Sequence, residues 1–349
     1  MSKKNLLTLS FEELEQTLDD LGEPRFRAKQ VWQWIWQKGV TDLSLATNLA
    51  KSLRSKLDQE WTVTHPALHT VRESRDKTVK FLLRYEDGAL IETVLIPEGE
   101  RYTQCISTQL GCAMGCTFCS TGMMGFVRNL KGWEIAAQVL AAGSYLRERA
   151  ITAPLKNLVF MGMGEPLLNW KEVRSSLDIL HHPLGPDFSR RRVTLSTVGV
   201  RGILEEFAAA GLGLPAISLH APTQELREQI MPGAARLPLG ELISILENYP
   251  LRPRERVTIE YVLLGGVNDS VHHARELVRL LARVKCKVNL IAYNPGPGIE
   301  YRAPTREAIL AFEKTLWDKG MTAVLRKSKG QDIAAACGQL KTEVDQQIL

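Results

Sequence analysis

TQCISTQLGCAMGCTFC, residues 103–119, joins a β-prone run (TQCIST, 103–108) to a loop in which Cys112, Cys116 and Cys119 are spaced C-x3-C-x2-C. Downstream of this point the chain alternates. β-prone runs follow at KNLVFMG (156–162), RRVTLSTV (191–198), LPAISLH (214–220), RVTIEYVLL (256–264), CKVNLIAY (286–293) and TAVLRKS (322–328). Helix-like stretches fill the gaps at 133–149, 170–182, 200–210, 223–230 with 239–248, 270–284 and 304–319. Such alternation predicts an α/β fold with a parallel sheet and right-handed crossovers. About six repeats suit an open, partial (β/α)6 barrel better than a closed eight-fold one.

Upstream of the barrel, residues 103–349, two other textures appear. Residues 1–60 read as a small helical domain: Ser10 caps FEELEQTLDD with Glu13 as its capping-box partner, and Pro24 starts a second helix, RFRAKQVWQWIWQK. Trp32 and Trp36 share one face of that helix, which favours core packing over base stacking. Residues 61–102 read as a short β extension, a meander whose runs KTVKFLLRY and ALIETVLIP flank the turn signal Asp87-Gly88.

The composition, 44% hydrophobic and 24% charged over 349 residues, excludes a disordered tail, a collagen-like chain and a small disulfide scaffold. The net charge is +5, and residues 251–349 hold the surplus, which permits an anionic partner such as nucleic acid. The longest charge-free stretch, Phe207 to Gln224, is broken by Gly211, Gly213, Pro215 and Pro222, and MSKKNLLTLSFEELEQ has no apolar signal core. We therefore expect no membrane span and a cytoplasmic location. In that compartment six cysteines point to metal or redox chemistry rather than structural bridges.

Three thiolates on one loop can wrap one metal centre. A structural zinc takes four protein ligands. None of the seven histidines (His65, His69, His181, His182, His220, His272, His273) lies nearby in sequence, and no fourth cysteine follows at ligand spacing. The set fits a 4Fe-4S cluster with one iron left open. With an aromatic before its last cysteine, the loop resembles that of the radical S-adenosylmethionine (SAM) superfamily, in which the open iron chelates the amino and carboxylate groups of SAM. The run Met161-Gly-Met-Gly164-Glu165-Pro166 after a strand resembles the segment that meets the SAM amino group there.

The resemblance narrows further along the chain. CISTQLGCAMGCTFCSTGMMGFVRNL, FMGMGEPLLN, RRVTLSTVGV, ISLHAP, RVTIEYVLL with VND, NLIAYNP and RKSKGQDIAAACGQL, in order from about residue 85 to 342, are similar to the bacterial dual-specificity RNA adenine-C2 methyltransferase family. The helical start resembles that family's accessory domain, expected to contact RNA. The resemblance implies methylation of adenosine 2503 of 23S rRNA and adenosine 37 of tRNA, with two SAM per methyl added. Cys112, Cys116 and Cys119 would hold the cluster; Gly164, Glu165, Ser196, Ser218, Leu219, His220 and Asn294 would line the SAM site. Cys337 would be methylated first and carry a methylene radical to adenine C2. Cys105 would then resolve the protein–RNA link through a transient Cys105–Cys337 disulfide, and Glu92 would take the C2 proton. A monomer reduced by a flavodoxin or ferredoxin is implied too.

The chemistry is coherent, because C2 is not a nucleophilic carbon and a radical on a tethered sulfur reaches it intramolecularly. Methylation at adenine C8 is the nearest alternative reading. A non-catalytic iron–sulfur RNA sensor is the alternative from another class. Among other charged groups, Lys327 and Lys329 are candidates to lower the Cys337 pKa. Arg190-Arg191-Arg192, Arg128 and Lys131 are solvated or phosphate-holding, and Cys286 is a packed strand-end residue.

Overall fold

The computed structural model describes residues 3–296 and 298–341. The end of the expected barrel segment, 342–349, lies outside the described residues. In chain order the N-terminal part contains β1 (Lys4–Asn5), α1 (Phe11–Asp20), α2 (Phe26–Trp32), α3 (Lys51–Glu60) and β2 (Trp61–Thr62). Ser10 accepts from Glu13 N at 3.1 Å while Glu13 accepts from Ser10 N at 2.7 Å, so the capping box forms as the local sequence requires. Both Trp32 and Trp36 are 2% exposed, which assigns them to packing. Trp32 and Phe11 meet His182, seating these helices against the rest of the chain.

Next come β3 (Ala67–Glu73), β4 (Val79–Arg84), β5 (Leu90–Glu98), β6 (Arg101–Cys105), β7 (Gln109–Gly111), α4 (Ser120–Met123), β8 (Phe126–Asn129) and α5 (Gly132–Glu148). The alternating half follows as β9 (Leu155–Phe160), α6 (Trp170–His181), β10 (Val193–Thr197), α7 (Ile203–Ala210), β11 (Leu214–Ser218), α8 (Gln224–Ile230) and α9 (Leu239–Glu247). It ends with β12 (Val257–Leu263), α10 (Val271–Leu280), β13 (Cys286–Ala292), α11 (Arg306–Asp318) and β14 (Ala323–Arg326).

The main sheet has ten strands in the order β14-β13-β12-β11-β10-β9-β6-β5-β4-β3. From β6 through β14 all neighbours in this sheet are parallel, with helical crossovers between them. The order is linear, so the barrel is open, as six crossovers suggest. The β extension is not set apart from the barrel. β6 spans the expected boundary at 102/103; it pairs antiparallel with β5 on one side and parallel with β9 on the other. The meander thereby lengthens the barrel sheet beyond its first parallel strand. No described helix is long and apolar enough to cross a membrane.

Candidate active site

The cysteine loop leaves β7 through Gly111, whose φ of +73° and backbone approach to Gly125 exclude a side chain: a Cβ there would lie 1.8 Å from the Gly125 carbonyl oxygen. Cys112 N donates to Gly125 O at 2.8 Å, Cys119 N to Cys116 O at 3.1 Å, and Thr117 N to Ile230 O at 3.0 Å. The loop is thus tied to β8, to itself and to the end of α8. Its three cysteines are half-buried and line a cleft of about 1030 Å³, the open solvent at its mouth included. Burial pushes the Cys112 thiol up to about 12 and that of Cys116 well above its ordinary value, with the neighbouring cysteines adding to the effect on Cys116. Thiolates crowded in this way require a cationic centre to hold them ionised.

Gly164, Glu165, Ser196, Ser218, His220 and Asn294 meet on the same cleft. Glu165 follows β9 and is 3% exposed. Its carboxylate accepts from Thr197 Oγ1 (2.6 Å), Val198 N (3.0 Å) and Leu167 N (3.0 Å). Burial still raises its pKa, these three donors pulling the other way. Ser196 Oγ and Ser218 Oγ are 3.3 Å apart on adjacent strands. His220 has φ +55°, and its Nδ1 accepts from Val262 N at 3.1 Å, fixing a neutral ring. Burial, then Arg227, hold its pKa down to about 3. Leu219 is the exception among the expected SAM contacts: its side chain is fully buried in the hydrophobic core and the cleft wall omits it.

Cys337 arrives from the far end of the chain on a strap, residues 328–341, laid across the cleft. Ser120 N donates to Gly338 O (2.7 Å) and Thr121 Oγ1 to Leu340 O (2.6 Å), which brings Cys337, Gly338 and Leu340 onto the cleft wall beside the end of the cysteine loop. The Cys337 side chain is exposed, and what it faces is the cleft. Desolvation within the cleft raises its pKa, Arg326 opposes the shift, and Glu260 and Cys119 add to it. Cys105, at the end of β6, is buried and absent from the cleft wall; burial pushes its thiol up to about 12, Cys337 adds to the shift and Arg326 again opposes it. All six cysteines are free in this structure, Cys105 and Cys337 among them. Glu92 lies behind the strap, off the cleft wall. It is 6% exposed, ion-paired to Lys80 at 2.8 Å and accepting from Lys341 N at 2.9 Å.

Family comparisons agree with this geometry. Residues 4–63 match the ribosomal RNA large subunit methyltransferase N-terminal domain, and residues 106–281 match the radical SAM superfamily. The dual-specificity RNA methyltransferase RlmN of Solidesulfovibrio magneticus is 56% identical over 341 residues, covering 98% of this chain and 97% of its own. That of Nitratidesulfovibrio vulgaris strain DP4 is 57% identical over 344 residues, covering 97% and 94%. The chain belongs to the RlmN family. A crystal structure of a radical SAM methyltransferase from Sphaerobacter thermophilus superposes with a TM-score of 0.92 at 43% identity, covering 97% of this chain and all of that one.

As an RlmN-family enzyme the chain is a radical SAM RNA methyltransferase that uses one 4Fe-4S cluster and SAM. Its residues fit that group. Among the described residues no three His, Cys, Asp or Glu side chains could hold a single metal ion. Three clustered thiolates without a fourth suit a 4Fe-4S cluster, and Cys112, Cys116 and Cys119 are the residues that could hold one.

Several expectations about charge change with the structure. Lys327 and Lys329 are not the cations beside the thiols: Lys329 faces Asp76 at 3.9 Å, while Arg326, the last residue of β14, influences both Cys105 and Cys337. Arg128 is held by Glu134 and Asp87, and Arg190 by Glu255, so neither is free for phosphate. Reasoning from sequence also missed Glu260, buried on the cleft wall, and Lys80. The single charge in the otherwise apolar run IEYVLL carried a signal for Glu260, since a charged residue in a fully buried strand needs a reason.

Proposed function

We propose that the chain methylates C2 of adenine, at adenosine 2503 of 23S rRNA and adenosine 37 of tRNA, through an S-methylcysteine at Cys337. When bound, the cluster and SAM would supply one-electron cleavage of a sulfonium to a carbon-centred radical, and the oxidised cluster would be the acceptor for the electron that the RNA adduct gives up with its C2 proton. The chain's own residues do the rest. Cys337 takes a methyl group from a first SAM, its thiol proton leaving and S-adenosylhomocysteine departing. The same sulfur, now bearing a methyl that gives up a hydrogen atom when a second SAM is cleaved, presents its carbon to the base. Glu92 takes the C2 proton, which requires the strap to release it from Lys341 N. Cys105 then attacks the Cys337 sulfur: an S–S bond forms, the S–C bond to RNA breaks, and the carbon that leaves takes up the proton the Cys105 thiol gives up, which completes the methyl group. The N-terminal helices help bind RNA, a flavodoxin or ferredoxin supplies the electron, and the enzyme works as a cytoplasmic monomer.

One observation carries this reading: Cys337 lines the same cleft as Cys112, Cys116 and Cys119, its strap anchored beside Cys119 by Ser120 N donating to Gly338 O at 2.7 Å. A non-catalytic iron–sulfur protein has no use for a cysteine in that position. The test is anaerobic reconstitution with SAM, reductant and RNA. Nucleoside mass spectrometry should show 2-methyladenosine, and peptide mass spectrometry one added methyl on Cys337. Formation of 8-methyladenosine instead, or an unmodified Cys337, would overturn the reading.

A further inference from the structure

Glu260 is a carboxylate in a place that needs explaining. It sits mid-strand on β12, 3% exposed, and lines the cleft. Its Oε1 accepts from Asn289 Nδ2 at 2.9 Å and lies 3.9 Å from Arg326 Nη1. Its Oε2 is buried without any hydrogen-bond partner. A desolvated carboxylate oxygen with no donor is costly, so a built site implies a donor that arrives with a ligand. Ser218, Glu260 and Asn289 are register partners on adjacent parallel strands, which puts the three side chains in one polar row across the sheet.

We propose that the idle oxygen of Glu260 accepts a hydrogen bond from the exocyclic amine of the target adenine and so selects the base. The inference rests on the proposed RNA-methylating function and deepens it. Position keeps both ligands within reach, since Ser218, an expected SAM contact, is the register partner of Glu260 on one side. Glu260 lies at the Arg326 side of the cleft, and Arg326 is the cation that influences both Cys337 and Cys105, the two thiols that handle the RNA carbon. Glu165, by contrast, is electrostatically coupled to the cluster cysteines Cys112 and Cys116. Chemistry favours adenine. Where adenine presents an amine donor, guanine presents an oxygen acceptor, which a carboxylate repels. Burial raises the Glu260 pKa and Arg326 opposes this, so the assay belongs at pH 8, where the ionised form is favoured.

The experiment uses reconstituted holoenzyme and an anticodon stem-loop RNA carrying adenosine, purine riboside (no amine) or inosine (oxygen in place of the amine) at the target. Methylation is read by mass spectrometry and 5′-deoxyadenosine is measured in the same tube. For the wild type, KM should rise about tenfold on purine riboside and further on inosine. In E260Q the amide can donate to the inosine oxygen, so the ratio of inosine to adenosine kcat/KM should rise about tenfold over wild type. Intrinsic differences in C2 reactivity cancel in that ratio. Equal KM values for the three RNAs would overturn the proposal, and that comparison needs no variant. An unchanged ratio in E260Q with a raised KM for SAM would also overturn it, assigning the oxygen to SAM. Cleavage of SAM with methylation of none of the RNAs would instead overturn the functional reading on which the proposal rests.

Discussion

Replacing Glu92 by alanine should unlatch the C-terminal strap while leaving the barrel folded. Glu92 and Lys80 form an ion pair at 2.8 Å with side-chain exposures of 7% and 9%. Lys80 Nζ also donates to Ala334 O at 3.1 Å, and Glu92 accepts from Lys341 N at 2.9 Å. The pair therefore clasps the strap at two points. Removing the carboxylate leaves a buried ammonium without its counter-charge, a loss of about 3–5 kcal/mol. The cheapest response is to lift the strap and let water reach Lys80. Amide exchange in residues 330–341 should then accelerate roughly 100-fold or more, at about 1.4 kcal/mol per decade, while β12 keeps its protection. Hydrogen–deuterium exchange by mass spectrometry reads both regions together. Burial raises the Glu92 pKa despite Lys80, which marks the pair as costly to desolvate. The double variant K80M/E92Q should accordingly restore most of the protection, because the glutamine oxygen can still accept from Lys341 N and no charge is stranded. Exchange in 330–341 that stays within threefold of wild type in E92A, or that rises equally in β12, would refute the clasp. Activity is the wrong readout here, since Glu92 is also the proposed base.

Three further outcomes follow from the site. C105A should accumulate a covalent protein–RNA adduct and C337A should form none, resolved on a denaturing gel; equal behaviour would contradict the division of labour between the thiols. G164A should weaken SAM binding and lower the melting temperature, because a Cβ there would lie 2.6 Å from Gln109 Cβ at a φ of +99°, a strain of about 1–3 kcal/mol; an unchanged melt would show that the loop yields freely. His65 is held down to about 4 by burial and by Arg147, so the folded state favours its neutral form. Its contribution is full above about pH 6.5 and is lost as pH falls toward 4, on the order of 1 kcal/mol per pH unit; H65Q should flatten this acid limb in melts between pH 7 and 5.

What the sequence made legible was local. The Ser10–Glu13 capping box, the Asp87-Gly88 hairpin and the alternation of strands and helices each depend on residues a few positions apart, and each forms. The cysteine loop belongs to the same class, since its chemistry is set by three residues within a single turn of chain. β6 was harder, because a strand shows its two neighbours only in the fold; nothing in RYTQC says that one edge continues the meander and the other begins the parallel sheet. Arg326 and Lys327 illustrate the same limit. Adjacent cations read alike in sequence, but β14 ends at Arg326 and Lys327 already lies beyond the strand.

The strap is the extreme case, and it is where the catalytic constellation is completed. Its clasps join residues 249, 254 and 258 positions apart: Glu92 to Lys341, Lys80 to Ala334 and Ser74 to Asp332. No periodicity connects such pairs, so resemblance alone brought Cys337 to the reaction centre before the fold was seen. A physical reason for the arrangement follows from these contacts. In the proposed reaction Cys337 has to serve SAM and then the RNA, and Cys105 is buried with its thiol pKa pushed up to about 12. A carrier fixed rigidly to the barrel would meet only one of these partners well. A strap clasped by one buried ion pair and a handful of hydrogen bonds holds the thiol in register for the first step and releases by breaking few contacts for the second.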